Sequence, residues 1–476
     1  MTKRNENLLL AAGALGLIGG YAVARMTAKS SAATARERGD TLPTASVADT
    51  VALALDVLAP TFAKGVIIRR PRVVAMAEQF DLDRRAVQRM QKLRNKYGPG
   101  PVMLPLPIRK QAVVFAPEHV RRVLDESPEP FSPASSEKRA ALSHFEPQGV
   151  LISQGAQRSE RRQFNESVLD TQRAVHHLAE RFLPLVDQEA ARILAAARDK
   201  GTLDWDAFAQ GWYRLVRRVV FGDGASDDQE LNDLTVALRK AANWAFLHPK
   251  KRATQARFFA RIRHYLERAE AGSLAAVIAR RPQTADTLPE QQVPQWLFAF
   301  DAAGMTTFRA LALLATHPQQ AATAREEIQA NPGVKRQMLP FLRATVLESL
   351  RLWPTTPAIL RQTTTATSWD EGTMPARTGV LLYAPFFHRD DQRLPYANRF
   401  NPDLWLQEKQ DEWPLIPFSG GPVTCPAKNL VLMLTSAMLA ALTAQGMPTL
   451  VSSNPLDPQR LPGTLNNYSL RFGLPD

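Results

Sequence analysis

One long apolar segment limits what this chain can fold into. It extends for 24 residues from Pro294 to His317, and Pro318 follows it. Proline fits the first turn of a helix, and a proline just beyond the last turn stops it. Residues 296–300 are apolar on every side, which is typical of a helix buried all round. At roughly 36 Å, such a helix crosses a whole domain, so the sequence predicts a large helical core.

Helical periodicity also dominates most other long stretches, for example residues 80–96 and 171–200. Strand candidates are short and few; they are Gln111–Phe115, Gly379–Tyr383 and the region near Ile359. The sequence shows no internal repeat and no low-complexity break after its first fifty residues. We therefore expect a mainly α fold with a minor β-sheet in one domain, residues 46–476, which follows residues 1–45.

The charge balance is strongly basic. Lysine and arginine number 59 against 46 aspartates and glutamates, which gives a net charge of +13. A basic surface favours anionic lipid, acidic proteins or nucleic acid. The sequence has no recognisable nucleic-acid module, so we expect no nucleic-acid partner. A solvated basic surface is the alternative to a specific partner.

The N-terminus carries an uncharged stretch of 17 residues, Leu8–Ala24, at the lower limit for a membrane-spanning helix. More cations follow it than precede it, which favours a cytoplasmic main domain; they are Lys3 and Arg4 before it and Arg25, Lys29, Arg36 and Arg38 after it. We expect residues 1–45 to be a single-pass membrane anchor and linker. A signal peptide cleaved near Ala24 and a segment with no membrane role are the alternatives.

Residues 47–68 mix apolar side chains with few charges and end in the basic run Arg69–Arg72. Such a segment can lie on a membrane surface beside an anchor. The sequence favours the other interpretation, an ordinary packed helix with a basic end.

Cys425 is the only cysteine in 476 residues. It lies after the glycine-rich turn Gly420–Gly421 and before an apolar helical stretch. Backbone amides at such a turn and at a helix N-terminus lower the pKa of a thiol, and glycines let a flat cofactor approach the backbone. This arrangement suits a thiolate bound to haem iron. A small buried side chain is the alternative.

Small residues and two threonines lie at the centre of the long helix, in Asp301–Thr307. Small side chains make room for a ligand or the edge of a cofactor, or for the packing of another helix. A threonine within a helix bonds to the carbonyl four residues earlier, or shares that carbonyl with a bound oxygen species. We expect Phe300, Ala302 and Ala303 to face a ligand pocket.

Glu348 and Arg351 lie three residues apart and so share a helix face. Apolar residues surround them; these are Val346, Leu347, Leu350, Leu352 and Trp353. In that setting the pair is predicted to be partly buried, where each partner must satisfy the other.

These features, in this order and spacing, resemble the cytochrome P450 family of haem-thiolate monooxygenases. The matching motifs are Ala302–Thr307, Glu348–Arg351 and Phe418–Ala427, with His388–Asp390 and Phe400–Pro402 as connecting segments. The resemblance covers roughly residues 70–476. It implies a helical, prism-shaped single domain preceded by an N-terminal hydrophobic helix, with haem b as the cofactor.

The resemblance also implies a role for each matching residue. Cys425 would be the axial ligand of the haem iron, in a loop shaped by Phe418 and Gly421. Thr306, with Thr307 beside it, would deliver protons during catalysis.

Two further pairs follow from the same resemblance. Glu348 and Arg351 would brace the cysteine loop against the haem. Arg361 and Arg161 would bind the haem propionates, which is physically sensible because a buried carboxylate needs a cationic donor.

The chain departs from the family pattern at five positions, one of which is Gln157, where the family usually has tryptophan or histidine four residues before the arginine. Val423 and Ala427 stand where the cysteine loop normally has arginine and glycine, so one propionate partner is missing. Met305 replaces the acid that usually precedes the threonine, and Leu404 replaces an arginine of the Glu-Arg network. These changes predict weaker haem binding and slower or less coupled oxygen activation.

The activity that the resemblance implies is monooxygenation: insertion of one oxygen atom of O2 into an apolar small molecule. The sequence has no flavin or nicotinamide fingerprint, so electrons would come from a separate ferredoxin or flavoprotein reductase. Arg158, Arg162 and Lys428 would form a basic docking face for that partner, or would be ordinary solvated charges.

Two other functions stay open. A protein that binds haem without oxygenating a substrate, or a peroxide-using or isomerising haem enzyme, would fit Met305 and Val423. A zinc enzyme is not expected, because the adjacent histidines His176 and His177 would point apart on a helix.

Overall fold

A computed structural model describes residues 41–107, 109–407, 413–452 and 456–475. Most of them are helical, as the sequence predicted. The helices are Val47–Leu53, Ala59–Ala63, Pro71–Gln79, Leu82–Tyr97, Pro117–Asp125, Ser136–Leu142, Gly155–Val168, Ala179–Lys200, Trp205–Phe221, Gln229–Ala242, Arg252–Arg268, Leu274–Ala279, Pro289–Thr316, Pro318–Ala330, Pro340–Leu352, Ala384–His388 and Lys428–Thr443. The membrane anchor predicted at residues 8–24 lies outside the described residues.

A five-stranded sheet contains all three strand candidates. Its order is Val102–Leu104, Gln111–Val113, Gly379–Tyr383, Ala358–Thr363 and Phe131–Ser132. The second and third strands run parallel, and the other neighbours are antiparallel. Burial alternates along the fourth strand, so Ile359, Arg361 and Thr363 share its buried face. This register fixes Arg361 inside the fold.

Two smaller sheets complete the strands of the described residues. One pairs Leu203–Asp204, Arg471–Gly473 and Thr449–Leu450, and the other is the hairpin Thr367–Trp369 with Gly372–Met374.

The central helix is longer than the sequence indicated. It extends from Pro289 to Thr316, 28 residues, so Pro294 lies inside it and not at its start. Pro289 occupies the first turn, where a missing N–H costs nothing. We call this element the threonine helix. Among the described residues, it alone has the length and hydropathy of a membrane span, and 72% of its most apolar window is buried inside the fold.

Three helices enclose the functional region. The threonine helix packs against the Glu-x-x-Arg helix (Pro340–Leu352) and against the post-cysteine helix (Lys428–Thr443), and the last two also pack together. Their buried leucines, valines and phenylalanines belong to one large core cluster. Ala179–Lys200 covers the other side of the post-cysteine helix. This arrangement brings motifs more than 100 residues apart in sequence next to each other.

Residues 47–63 form a packed helix, shorter than the segment 47–68 that the sequence indicated, and the basic run Arg69–Arg72 lies beyond its end. Two α-helical stretches are joined by the wider π-helical turn Ala54–Leu58. Leu53 and Val57 are buried in a second core cluster with the five-stranded sheet, whereas Leu55 and Phe62 are about half exposed, at 46% and 51%.

Candidate active site

A cavity of about 510 Å³ separates the threonine helix from the cysteine loop (Phe418–Ala427). Cys425 and Phe418 line it from the loop, and Ala302, Ala303 and Thr306 line it from the helix. The volume lies in the range of pockets that enclose small molecules. The structure therefore brings two of the three sequence motifs to one enclosed space.

The cysteine loop is held by its backbone. The Cys425 amide donates to the Phe418 carbonyl at 3.0 Å, closing the loop on itself. Gly421 has φ +60°, and a Cβ there would lie 2.1 Å from the Leu124 carbonyl oxygen. Gly421 thus lets the loop pack against the helix Pro117–Asp125. Gly421 does not line the cavity, so the structure does not support the predicted direct role of this residue in binding a cofactor.

The environment of the Cys425 thiol differs in part from the expectation. Burial raises its pKa above the ordinary value, and backbone groups of Ala427 and Lys428 oppose that effect, together with the charge of Arg162. The amides that favour the thiolate therefore belong to the start of the post-cysteine helix and not to the glycine turn. A bound metal ion deprotonates a coordinating thiol outright.

The two threonines have different positions. Thr306 lines the cavity, and its Oγ1 donates to the Ala302 carbonyl at 2.9 Å. Thr307 is fully buried, and its Oγ1 donates to the Ala303 carbonyl at 2.9 Å. Thr307 is not among the residues that line the cavity. Of the two threonines, Thr306 alone lies where its hydroxyl can act on a molecule in the cavity.

Only part of the small-residue segment faces the cavity. Ala302 and Ala303 line it as expected, but Phe300 does not, and Phe298 and Asp301 take its place. Phe300 is 1% exposed within the core. The expectation for Phe300 was wrong because the helix is rotated relative to the face that the alanines alone suggested.

Three of the cations that line the cavity come from separate elements and lie near one another: Arg361, Arg158 and Lys138. Within the described residues, Arg361 donates to neutral oxygens alone, those of Ser127, Ser419 and its neighbour Leu360. Burial, and then the charge of Arg158, lower the pKa of Arg361 to about 10. The cations therefore repel one another in an apolar enclosure.

Lys138 and Arg158 complete this cationic cluster. Burial and then Arg361 hold the pKa of Lys138 well below its ordinary value. Arg158 is 7% exposed, and its Nε has no hydrogen-bond partner within the described residues. Buried unpaired cations call for an anion. The carboxylates of haem b, together with its need for a thiolate, fit this donor set.

Arg161 does not join the cluster. Its guanidinium donates to the Asp286 carbonyl, to Ser153 Oγ and to Gln148 Oε1 at 2.6–3.2 Å, and it does not line the cavity. The sequence-based assignment of Arg161 to a propionate is not supported by this position. Arg158, one helical turn earlier, lines the cavity instead.

The Glu348–Arg351 pair is buried completely, at 0% exposure for both side chains. Arg351 Nε donates to the Glu348 carboxylate at 2.8 and 3.1 Å. Burial raises the pKa of Glu348 to about 7, while hydrogen bonds from Arg351 and Trp405 lower it. Trp405 thus supplies a third member of this network, beside the Leu404 position where the family often has arginine.

The remaining donors of Arg351 hold the chain that leads to the cysteine loop. They bind the carbonyls of His388, Tyr396, Ala397 and Arg399 at 2.7–3.4 Å. The pair lies away from the cavity and braces the segment before the loop. This geometry is consistent with the predicted bracing role of Glu348 and Arg351. It is not consistent with direct contact between the pair and a cofactor in the cavity.

An ion pair stands in the cavity wall. Arg239, 3% exposed, binds the Asp301 carboxylate, and both residues line the cavity. Burial raises the pKa of Asp301, and Arg239 opposes the rise. Arg239 Nε has no hydrogen-bond partner among the described residues. No local sequence signal indicated this pair, because its members are 62 residues apart.

The predicted basic docking face is mostly absent from the surface. Lys428 is exposed, but Arg158 lines the cavity. Arg162 binds Glu166 and the Thr424 carbonyl, the latter at 2.8 Å. Arg162 also lines the cavity, and its hydrogen bond to Thr424 holds the cysteine loop in place.

His176 and His177 do not point apart, as the sequence suggested, because they precede the helix Ala179–Lys200. Their rings stack at 4.6 Å, and His177 binds Asp170 at 2.6 Å. Both ring nitrogens of His176 are occupied, by the Val168 carbonyl and the Leu178 amide. His177 and Asp170 pair with each other, and backbone groups occupy His176, so we assign no metal to them.

The comparisons with known proteins agree with this site. The model of the family described as "Cytochrome P450" matches residues 290–443. A cyclooctat-9-en-7-ol 5-monooxygenase of Streptomyces melanosporofaciens is 29% identical over 193 residues, 37% of this chain and 42% of that protein. A methyltetrahydroprotoberberine 14-monooxygenase of Papaver somniferum is 31% identical over 158 residues, 30% of each chain.

The alignments thus span less than half the length of these curated relatives, whereas the fold extends further. A crystal structure of a cytochrome P450, CYP102L1, superposes with a TM-score of 0.67 at 17% identity and covers 81% of this chain and 93% of that one. The retinoic-acid-bound cyanobacterial CYP120A1 gives 0.64 at 16% identity, with 80% and 93% covered. Proteins of this kind bind haem b through a cysteine thiolate. The family match, which runs from the threonine helix through the cysteine loop, and the shared fold support the cytochrome P450 family for this chain.

Proposed function

We propose that this protein is a haem-thiolate monooxygenase that receives electrons from a separate redox protein and oxygenates a small, mainly apolar molecule. One observation carries the proposal: a single cavity joins the only cysteine of the chain to Thr306 and to the cationic cluster of Arg361, Arg158 and Lys138. A thiolate ligand and propionate partners are what haem b requires.

Haem, when bound, supplies the activation of dioxygen, and its thiolate ligand favours O–O cleavage. The chain would hold and orient it: Cys425 would ligate the iron, and Arg361 and Arg158 would neutralise its carboxylates. The Thr306 hydroxyl holds a proton at the cavity wall, bonded to the Ala302 carbonyl. Met305 supplies no acid beside it, so protons reach Thr306 through water.

The first experiment is the carbon monoxide difference spectrum of the reduced, haem-supplied protein. We expect the strongly red-shifted Soret band of a thiolate ligand, and its loss in Cys425→Ala. Ser436→Ala is the control, because Ser436 is buried in the post-cysteine helix and bonds only the Met433 carbonyl. A red-shifted band that survives in Cys425→Ala would disprove the axial assignment.

A second experiment separates monooxygenation from the alternatives, a haem-binding protein or a peroxide-using or isomerising enzyme. Product that carries an atom of labelled O2 and depends on a reductase supports monooxygenation. Thr306→Ala should divert electrons into peroxide, whereas Thr307→Ala, which alters a buried hydroxyl off the cavity, should not. Turnover with peroxide alone, or without oxygen, would favour the alternatives that Met305 and Val423 suggest.

The proposed substrate has an apolar skeleton and one neutral polar group. Side chains such as Leu297, Phe298 and Val216 give the cavity apolar walls. The Arg239–Asp301 pair interrupts them with a donor, Arg239 Nε, that lacks a partner within the described residues, and with a carboxylate acceptor. A hydroxyl can accept from the first and donate to the second.

Binding of cyclododecanol and of cyclododecane, read from the haem absorption band, tests this preference. We expect the alcohol to bind about tenfold more tightly, in keeping with one hydrogen bond to a charged group. Arg239→Met should remove most of the difference, while Val216→Ala should alter both affinities alike. Equal affinity for the two ligands in the unmodified protein would contradict the proposal.

We also propose a membrane-bound protein, anchored by residues 8–24, with the haem domain in the cytoplasm. An exposed apolar surface of the described chain supports the association: Phe62, Phe246 and Leu247 are 51%, 71% and 77% exposed. Arg70 links the segment of Phe62 to the segment of Phe246 and Leu247. It donates to the Phe62 carbonyl at 3.0 Å, and its guanidinium lies over the ring of Trp244 at 5.1 Å.

Exposed cations flank this surface at Lys250 and Lys251. Apolar side chains beside lysines suit the boundary of an anionic bilayer. The net charge of +13 acts in the same direction. The redox partner, a ferredoxin or a flavoprotein reductase, would present an acidic surface to the exposed Lys428.

A further inference from the structure

A second cavity, of about 50 Å³, lies beside the active-site cavity and holds an excess of positive charge. The N-terminal segment contributes Lys64 and Arg69, the threonine helix contributes Arg309, and Arg389 closes it from the segment after the Glu-x-x-Arg helix. Asp83 is the carboxylate nearest to the lysine among its lining residues.

The carboxylates around this cavity are already engaged. Asp83 binds Lys64 and accepts from the Thr464 hydroxyl at 2.6 Å. Glu78, which also acts on Arg309, accepts from the Asn466 amide at 2.8 Å. Within the described residues, no carboxylate lies within 4.0 Å of Arg69, Arg309 or Arg389.

Arg389 and Arg69 are satisfied by neutral acceptors. Arg389 binds Asn398 and the carbonyls of Leu352, Leu461 and Pro462 at 2.6–3.2 Å. Arg69 binds the carbonyls of Gly65 and Thr355 at 2.5 and 2.6 Å. Their hydrogen bonds are met, but their charges are not neutralised.

Arg309 is satisfied least. It is 7% exposed, and its two terminal nitrogens reach the Trp353 carbonyl and Asn467 Oδ1 only at 3.3 Å each. Its Nε has no partner in the described part of the chain, and neither does the amide nitrogen of Asn467, a residue with 0% exposure. Two neighbouring buried donors therefore lack an acceptor, and one of them belongs to Arg309, which lines the cavity; such a deficit is costly in a native protein.

Repulsion adds to this deficit. Burial, and then the charge of Arg69, lower the pKa of Arg309 to about 10, against the weaker attraction of Tyr468, Asp83 and Glu78. An occupant with a negative charge would relieve both the missing acceptor and the repulsion, whereas a water molecule would relieve only the first.

We propose that this cavity binds a small monovalent anion, a halide or a simple carboxylate such as formate, held by Arg309 with Arg69. The volume admits about three water-sized groups, which suits chloride or the three heavy atoms of a carboxylate. This proposal is independent of the proposed monooxygenase activity.

The anion would stiffen the active-site wall. Arg69 lines both cavities, and its guanidinium bonds the carbonyl of Thr355, which also lines the larger one. Arg309 lies one helical turn after Thr306. Chloride or formate therefore stabilises the wall between the N-terminal segment and the threonine helix.

The test is the thermal unfolding midpoint of the full haem-loaded chain at constant ionic strength, with sodium gluconate replaced stepwise by chloride or formate. We expect a saturable rise in the midpoint. Arg309→Gln should weaken the apparent affinity about tenfold or more, the effect of losing a charged hydrogen bond. Arg263→Gln is the control, since Arg263 is exposed on the helix Arg252–Arg268.

Crystals soaked in bromide give a measurement that does not depend on a variant. Anomalous density beside Arg309 would confirm the site. Water alone in the cavity, or the same midpoint in gluconate and chloride, would overturn the proposal. A chloride response that Arg309→Gln and Arg263→Gln share equally would also overturn it, because the effect would then come from the surface.

Discussion

Trp212 packs its indole ring on the backbone of Gly304. A Cβ at residue 304 would lie 2.7 Å from Cδ1 and 2.8 Å from Nε1 of that ring. The indole is fixed in place, because Nε1 donates to the Phe300 carbonyl at 2.7 Å. The glycine at the centre of the threonine helix thus serves the contact with the helix Trp205–Phe221, while Ala302 and Ala303 face the cavity.

Gly304→Ala should therefore destabilise the protein. An alanine gains about 1 kcal/mol of helix propensity, but overpacking against a fixed ring costs about 1–3 kcal/mol, so we expect a net loss in the free energy of unfolding by denaturant. Gly473→Ala is the control, since a Cβ there meets nothing closer than 3.6 Å. A Gly304→Ala protein more stable than the parent would contradict this packing.

Arg351→Lys should be severe although it keeps the charge. One amine cannot replace a guanidinium that binds Glu348 and four carbonyls. Breaking a fully buried pair costs about 3–5 kcal/mol, which thermal unfolding would show, together with reduced haem content. Arg257→Lys, in a pair whose arginine is 67% exposed, should cost at most about 1 kcal/mol. Similar losses in both variants would argue against the buried network.

Haem retention distinguishes the structural assignment of the propionate partners from the sequence-based one. Arg361→Gln and Arg158→Gln should each release haem about tenfold faster to an excess of a haem-scavenging protein, since each removes a charged hydrogen bond. Arg161→Gln should release it at the parent rate, because Arg161 bonds Ser153, Gln148 and the Asp286 carbonyl instead. Equally fast release from Arg161→Gln would restore the sequence-based assignment.

Glu146 should make the protein less stable as the pH rises. It is 0% exposed, and burial raises its pKa well above the ordinary value, against the charge of Arg239. Above about pH 4.5 the unfolded chain loses this proton while the folded chain keeps it, so stability falls by up to about 1.4 kcal/mol per pH unit until the folded group also ionises.

Glu146→Gln should flatten this slope. Unfolding midpoints between pH 5 and 8 would measure it, with the exposed Glu180→Gln as the control. The Gln295 amide, in the orientation that satisfies both groups, donates to the two carboxyl oxygens at 2.7 and 3.1 Å, so the variant keeps one neutral partner. An unchanged slope would show that Glu146 is ionised in the folded protein.

Membrane association should depend on two regions. Deletion of residues 1–28 should lower the fraction that sediments with anionic vesicles, and adding Phe246→Ser with Leu247→Ser should abolish the remainder, because both side chains are exposed. Val451→Ser, 51% exposed elsewhere, should change nothing. Full binding after the deletion and both substitutions would exclude these surfaces. A mature N-terminus near Ala24 would identify a cleaved signal instead of an anchor.

The sequence by itself determined the elements whose signal is local. An apolar helix with a central threonine, a Glu-x-x-Arg spacing and one cysteine after glycines are each readable within a dozen residues. The three strand candidates were also recognisable, since Gly379–Tyr383 is buried at every position and reads as a continuous apolar run.

Only the tertiary structure decided which side chains meet in the cavity. Arg158 and Arg161 lie on the same helix with the same charge, yet Arg161 donates to the Asp286 carbonyl whereas Arg158 lines the cavity. Lys138, Arg239 and Trp212 carried no local signal, because their partners are more than 60 residues away. A helix face is chosen by what packs against it, and packing is a property of the whole chain.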